Sequence, residues 1–220
     1  MLLSKSDIEK IQAELFSYDK AREKLQTLTR NATRLCGWAI IQVHRQQYDL
    51  TKKTLDEAKE ILDQIQELIS SHSEFSQFGQ VLVAFQEYAE AKLVLQMKES
   101  GKLASLREVG TSSTAYLLGM LDFIGEMRRM TLDALRHGNA DEADSLLVIM
   151  ERIYEDLLSF DRASILPNFR RKLDAARRIL ETTRGDVSSD LRRVSLEKAV
   201  RSLERKLATS PKPKRSKIES

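Results

Sequence analysis

Apolar residues recur three or four positions apart along most of the chain, which is the spacing of amphipathic α-helices. The longest such pattern runs from Ser6 to about Gln46 without a proline and predicts a first helix on the order of 60 Å long. Further helices are predicted over residues 50–70, 75–99, about 114–137, 141–160, 168–184 and 189–208, with 101–113 as a loop. The pattern therefore predicts an all-α, single-domain seven-helix bundle over residues 1–208, followed by a disordered basic tail at 209–220.

Two of these predicted helices are apolar nearly all round, yet each carries a pair of carboxylates. In the third, Glu87 and Glu90 are three residues apart; in the fourth, Asp122 and Glu126 are four apart. Either spacing places both acids of a pair on one helix face. A carboxylate in a core costs several kcal/mol unless it is paired or protonated. These acids therefore call for a cation, a basic partner or a catalytic proton.

Two explanations for the acid pairs stay open at this point. If the two helices face each other, four carboxylates form an all-oxygen site of the kind found in metal-binding helical bundles, suited to Mg²⁺, Mn²⁺ or Ca²⁺. Alternatively, each acid forms an internal ion pair, with Arg128 or Arg129 near one pair and Lys92 near the other. The occurrence of a pair on both of the most apolar helices favours the metal site.

Composition narrows the class of protein further. The single cysteine, Cys36, excludes an internal disulfide, and with only three histidines a structural zinc site is not expected. No stretch has the apolar length of a membrane span, and the first residues lack the features of a signal peptide. We therefore expect a soluble, cytoplasmic protein. The basic segment 211–215 has the composition of a nuclear signal if the protein is eukaryotic, or is simply a basic tail if it is prokaryotic, and we favour the second interpretation.

Positive charge is concentrated in two places. Residues 168–217 hold 16 Lys and Arg against 6 Asp and Glu. The first predicted helix carries a basic stripe formed by Arg22, Lys24, Arg30, Arg34, His44 and Arg45. Arg129 of the fourth predicted helix is a further candidate for binding nucleic acid. Such a stripe is able to follow a phosphate backbone, although a solvated helix face is the commoner reason for a charge run.

Several stretches, in order along nearly the whole chain, carry a resemblance to a known family. They are residues 18–24, 39–45, 85–91, 116–130, 138–141, 154–160 and 169–174. The two stretches that contain the carboxylates, Phe-Gln-Glu-Tyr-Ala-Glu-Ala at 85–91 and Tyr-Leu-Leu-Gly-Met-Leu-Asp-Phe-Ile-Gly-Glu-Met-Arg-Arg-Met at 116–130, are the most specific. On these residues the chain resembles the translin family, in particular its translin-associated protein X branch with its archaeal members.

The resemblance implies a seven-helix fold, assembly into a hollow octamer, and binding of single-stranded RNA or DNA. Members of the translin-associated protein X branch are similar to metal-dependent endoribonucleases in which acids on the third and fourth helices hold Mg²⁺. In this chain the resemblance assigns that role to Glu87, Glu90, Asp122 and Glu126. Members of the translin type lack the full set and bind without cutting. The resemblance therefore predicts a Mg²⁺- or Mn²⁺-dependent endoribonuclease acting on single-stranded RNA, as a homo-oligomer or together with a translin-type subunit. The alternative is a non-catalytic single-strand-binding protein.

Overall fold

The structure, a computed structural model, describes residues 4–161 and 166–209, apart from the side chains of residues 207 and 209. Within these ranges the chain forms α-helices and one 3-10 helix and no strand, so the predicted all-α class is confirmed. The elements are α1 (Lys5–His44), α2 (Tyr48–Ser71), the 3-10 helix (Ser73–Gln77), α3 (Gly79–Ser100), α4 (Leu106–Val109), α5 (Ser113–Arg136), α6 (Ala140–Leu158) and α7 (Phe169–Thr209).

The number of α-helices in these ranges is seven, as predicted, but they are divided differently. The predicted break at Gly185 is wrong, because α7 continues through it without interruption. A glycine inside a helix costs only about 1 kcal/mol relative to alanine, and the buried side chains of Leu180 and Val187 hold both sides of it against the core. The predicted loop 101–113 contains α4, which begins with a capping box between Ser105 and Glu108.

Two other predictions concern the end of the chain and membranes. Thr209 is the last described residue of α7, and the rest of the predicted basic tail, residues 210–220, lies outside the described residues. None of the helices in the described ranges combines the length and the apolar character needed to cross a membrane.

Helices α3 and α5 form the centre of the bundle. Helix α3 contacts α1, α2 and α5, while α5 contacts α3, α6 and α7. Helices α1 and α3 run in the same direction, since Gln26 lies beside Gln80 at one end and His44 shares a cavity with Lys98 at the other. This packing explains why the third and fourth predicted helices lack a polar face.

Gly119 allows α5 to approach α3 more closely than any other residue would. A Cβ atom at Gly119 would lie 2.7 Å from the carbonyl oxygen of Gln86 and 3.0 Å from the backbone nitrogen of Glu90. The backbone of α5 therefore packs directly against the turn of α3 that carries Glu87 and Glu90. Asp122, about one turn beyond Gly119, is carried to the same place.

Substitution of Gly119 by alanine tests this contact. Forcing a methyl group against the α3 backbone should lower the free energy of unfolding by about 1–3 kcal/mol. Gly125→Ala is the matched control on the same helix, because nothing lies within 4 Å of a Cβ there. The control should be neutral or stabilising by up to about 1 kcal/mol. Urea denaturation of both variants gives the comparison, and equal stabilities would show that the close approach is not required.

Candidate metal centre and nucleic-acid interface

Three of the four predicted acids come together between α3 and α5. Glu87, Glu90 and Asp122 each offer a carboxylate oxygen, and these oxygens all lie within 4.8 Å of one another. We call these three residues the acidic cluster. Its members come from the two central helices, so the structure brings the two carboxylate-bearing faces together at the level of Gly119.

Glu126 lies one turn further along α5 and is not a member of the acidic cluster. Its Oε2 atom is 2.5 Å from Nε2 of His44, a hydrogen-bond distance, and 3.9 Å from Nη1 of Arg129. Its charge nevertheless contributes to the electrostatics of Glu90. Glu126 therefore occupies the edge of the site, and its role as a metal ligand stays a prediction.

Negative charge in the acidic cluster is poorly compensated. Burial, followed by the charges of Glu87, Asp122 and Glu126, raises the pKa of Glu90 to about 8, with Lys172 acting in the opposite direction. Burial and the charge of Asp122 also raise the pKa of Glu87 above its ordinary value. Glu90 is only 8% exposed, so water does little to screen these charges. A proton on Glu90 or an added cation would relieve the repulsion.

Lys172 of α7 supplies the one lysine ion pair of the cluster within the described residues. Its Nζ atom donates to both carboxylate oxygens of Asp122, at 2.5 Å and 2.7 Å. Nε2 of Gln86 donates to the Oδ2 atom of the same carboxylate at 2.5 Å. Sequence reasoning missed Lys172, although one signal was present: it lies on the face of α7 that also carries the buried Phe169 and Ala176.

Of the ion-pair partners expected from the sequence, only Arg129 is found beside one of the four acids, 3.9 Å from Glu126. Arg128 bonds to Thr183 and Asp186 of α7, each at 2.9 Å, and contacts none of the four acids. In the described part of the chain no ion pair joins Lys92 to Glu87 or Glu90. The ion-pair explanation therefore holds for the two acids of α5, Asp122 through Lys172 and Glu126 through Arg129, while Glu87 and Glu90 have no such partner within the described ranges.

Cys36 of α1 is completely buried near the acidic cluster. Burial, and then the charges of Glu87 and Glu90, raise the pKa of its thiol to about 12. Because the thiolate is the reactive form of cysteine, this residue is a packing residue and not a nucleophile.

A groove of about 580 Å³ runs between α1 and α3. It is lined by Gln26, Thr29, Arg30, Thr33, Arg34, Gln80 and Val83. Arg22 lines an adjoining hollow with Gln26 and Gln80. Val83 is one helical turn from Glu87, so the groove leads along α3 toward the acidic cluster. We call the surface formed by Arg22, Arg30 and Arg34 the arginine groove.

The other residues of the predicted basic stripe lie apart from this groove. Lys24, Arg45 and Arg129 are exposed but do not line it. His44 has a side chain only 8% exposed, and it contacts Glu126 rather than solvent. The structure thus divides the predicted nucleic-acid contacts into three arginines at a groove, the exposed Lys24 and Arg45, and a pair beside Glu126, His44 and Arg129.

This arrangement defines an all-helical protein with an acidic cluster between its two central helices and an arginine-lined groove beside it. The model of the Translin family matches residues 20–182, so the chain belongs to the Translin family. A curated relative, an uncharacterized protein of Methanocaldococcus jannaschii, is 34% identical over 184 residues, which cover 83% of this chain and 82% of that protein.

Solved structures are similar over most of the chain. AfC3PO is 27% identical with a TM-score of 0.74, and its complex with duplex RNA is 26% identical with a TM-score of 0.72; each match covers 84% of this chain and 96% of that one. Apo-NeC3PO is 24% identical, with a TM-score of 0.72, and the match covers 86% of this chain and 99% of that one. This similarity shows the shared fold. The resemblance inferred from the sequence is confirmed.

The raised pKa of Glu90 predicts how stability depends on pH in the metal-free protein. Between the ordinary pKa of a glutamate, about 4.5, and about 8, the folded chain holds a proton on Glu90 that the unfolded chain has lost. The free energy of unfolding should therefore fall as pH rises across this window. Glu90→Gln should remove this part of the slope and be more stable than the wild type at pH 8.

Urea denaturation in EDTA at several pH values between 4.5 and 8 measures the effect. Glu67→Gln, an exposed site on α2, is the control and should keep the slope of the wild type. A Glu90→Gln profile parallel to that of the wild type would show that Glu90 does not hold this proton.

Proposed function

We propose that this protein is a Mg²⁺- or Mn²⁺-dependent endoribonuclease that cleaves single-stranded RNA as a hollow oligomer of helical subunits. The observation that carries the proposal is the convergence of three carboxylates within 4.8 Å, one of which, Glu87, is one helical turn from the groove residue Val83. The assembly is a homo-oligomer, an octamer, or else a hetero-oligomer with a translin-type subunit.

The residues of the acidic cluster suit a hard divalent cation. All three donors are carboxylates, which Mg²⁺ and Mn²⁺ prefer, and no cysteine or histidine belongs to the group. The site already attracts one cation, the ammonium of Lys172. Glu87, Glu90 and Asp122 would hold the ion, with Glu126 beside them. When bound, such an ion polarises the scissile phosphate and activates water for attack.

The remaining residues position the RNA and the acids. Arg22, Arg30 and Arg34 present guanidinium groups to the phosphates, which gives affinity with little sequence preference. On the α3 wall of the groove, Val83 is 42% exposed and offers an apolar surface to a base. The hydrogen bond between His44 and Glu126 fixes that carboxylate at the edge of the cluster. No side-chain nucleophile is needed in this scheme.

Similarity to AfC3PO, whose structure was determined with duplex RNA, supports RNA as the ligand. The preference for single strands comes from the family resemblance. When single-stranded and duplex RNA of the same sequence are compared, the single strand should be cut faster. A second candidate function is single-stranded RNA or DNA binding without cleavage. It is favoured by the Lys172–Asp122 ion pair, which neutralises one of the carboxylates internally.

Cleavage of labelled RNA distinguishes the two functions. The wild type should cut single-stranded RNA with Mn²⁺ or Mg²⁺ and not with EDTA. Asp122→Asn and Glu90→Gln should each lower the rate at least about a hundredfold, because even the loss of an outer-shell partner of a metal ligand costs about 10–100-fold. RNA binding should stay nearly unchanged.

Asp144→Asn, on the exposed face of α6, is the matched control and should cut at the wild-type rate. A wild type that binds RNA and cuts it with neither metal would favour the binding protein, or require a second subunit. Cleavage that survives in both acid variants would place the reaction elsewhere.

The arginine groove makes a separate prediction about binding. The double variant Arg30→Ala/Arg34→Ala should bind single-stranded RNA more weakly. The slope of log K against log salt should become shallower by about 1.4, that is about 0.7 for each phosphate that the variant no longer neutralises. Fluorescence anisotropy at several salt concentrations measures both quantities. Arg107→Ala, an exposed arginine on α4, should change neither, and an unchanged slope in the double variant would exclude the groove as the RNA path.

A further inference from the structure

The ammonium of Lys172 binds the carboxylate of Asp122, which a divalent cation at the acidic cluster would also have to bind. The ammonium is bonded to both oxygens of Asp122, and Oδ2 also accepts a hydrogen bond from Gln86. Asp122 is the one residue that α5 contributes to the acidic cluster, whereas Glu87 and Glu90 both come from α3. An ion that bridges the two helices must therefore bind Asp122 beside, or in place of, this ammonium.

We propose that Lys172 is an intrinsic competitor of the divalent cation, a positioning residue that holds Asp122 in the metal-free protein and is displaced from it when the metal binds. The inference rests on the proposed metal-dependent function. It means that Lys172 sets the affinity of the site for the metal. It identifies a residue of α7, remote in sequence from both acid motifs, as part of the same site.

Charge and structure support this exchange. A monovalent and a divalent cation about 4 Å apart repel each other strongly in a site with little water, so binding of one weakens binding of the other. Lysine carries its charge on a flexible four-carbon stem, which makes it easy to withdraw. The side chain of Lys172 is 25% exposed, so a path to solvent is open for it.

The competition explains why one lysine is matched with three acids. In the absence of metal, the ammonium of Lys172 offsets part of the repulsion within the cluster. Its charge acts to lower the pKa of both Glu87 and Glu90. In the presence of metal, the ammonium is withdrawn from Asp122. The affinity for the cation is thereby lower than the three carboxylates of the cluster would give without Lys172.

Binding of Mn²⁺ to the full-length chain, followed by electron paramagnetic resonance without RNA, tests the inference. Lys172→Met, which keeps the length of the side chain and removes its charge, should bind Mn²⁺ about tenfold more tightly than the wild type. In EDTA it should melt at a lower temperature than the wild type, and Mn²⁺ should raise its melting temperature by a larger increment. Lys172→Gln, a smaller neutral side chain, should show the same tightening.

Lys53→Met, on the exposed face of α2, is the control and should bind Mn²⁺ like the wild type. Unchanged or weaker binding in both Lys172 variants, with a wild type that binds Mn²⁺, would overturn the competition and leave the proposed function standing. Absence of Mn²⁺ binding in the wild type and in both variants would overturn the metal site itself and the inference with it.

Discussion

The close contact of α5 with α3 at Gly119 is the constraint on which the site depends. Without a side chain at this position, the α5 backbone lies against the turn of α3 that carries Glu87 and Glu90. Asp122 follows about one turn later and completes the acidic cluster. The wholly buried side chains around the contact, among them Ala89 and Phe123, fix the two helices at this distance. A site of this kind is held by packing of its supporting helices and not by a flexible loop, so its geometry is formed before any ligand arrives.

The same packing creates an electrostatic cost. Three carboxylates are held together where water screens them poorly, and the fold offsets part of the repulsion with the ammonium of Lys172, the amide of Gln86 and the raised pKa of Glu90. A divalent cation that replaced the proton on Glu90 and the ammonium of Lys172 would supply the same two positive charges, but from one position that all three carboxylates share. The unfavourable charge of the metal-free state is thus the physical reason for affinity toward a cation, and it connects the fold to the proposed chemistry.

Much of this could be predicted from local sequence. Apolar spacing predicted long helices, and charges within apolar segments identified the acids that meet in the cluster. Prediction failed where tertiary packing decides: Gly185 is accommodated because buried neighbours hold α7 together, and a capping box within the predicted loop forms α4. Lys172 and His44 reach their acids across 50 and 82 residues of sequence, respectively. Helical periodicity places a residue on a face, but it does not say which face of another helix it will meet.

A crystal structure of the protein grown with Mn²⁺ tests the central claim most directly. Anomalous scattering at the manganese edge locates the ion independently of any assumption about the reaction. We predict an anomalous peak bounded by carboxylate oxygens of Glu87, Glu90 and Asp122, with the ammonium of Lys172 no longer bonded to Asp122. An acidic cluster without a peak at saturating Mn²⁺, with the Lys172–Asp122 ion pair intact, would contradict it and leave the carboxylates as a structural feature of a binding protein.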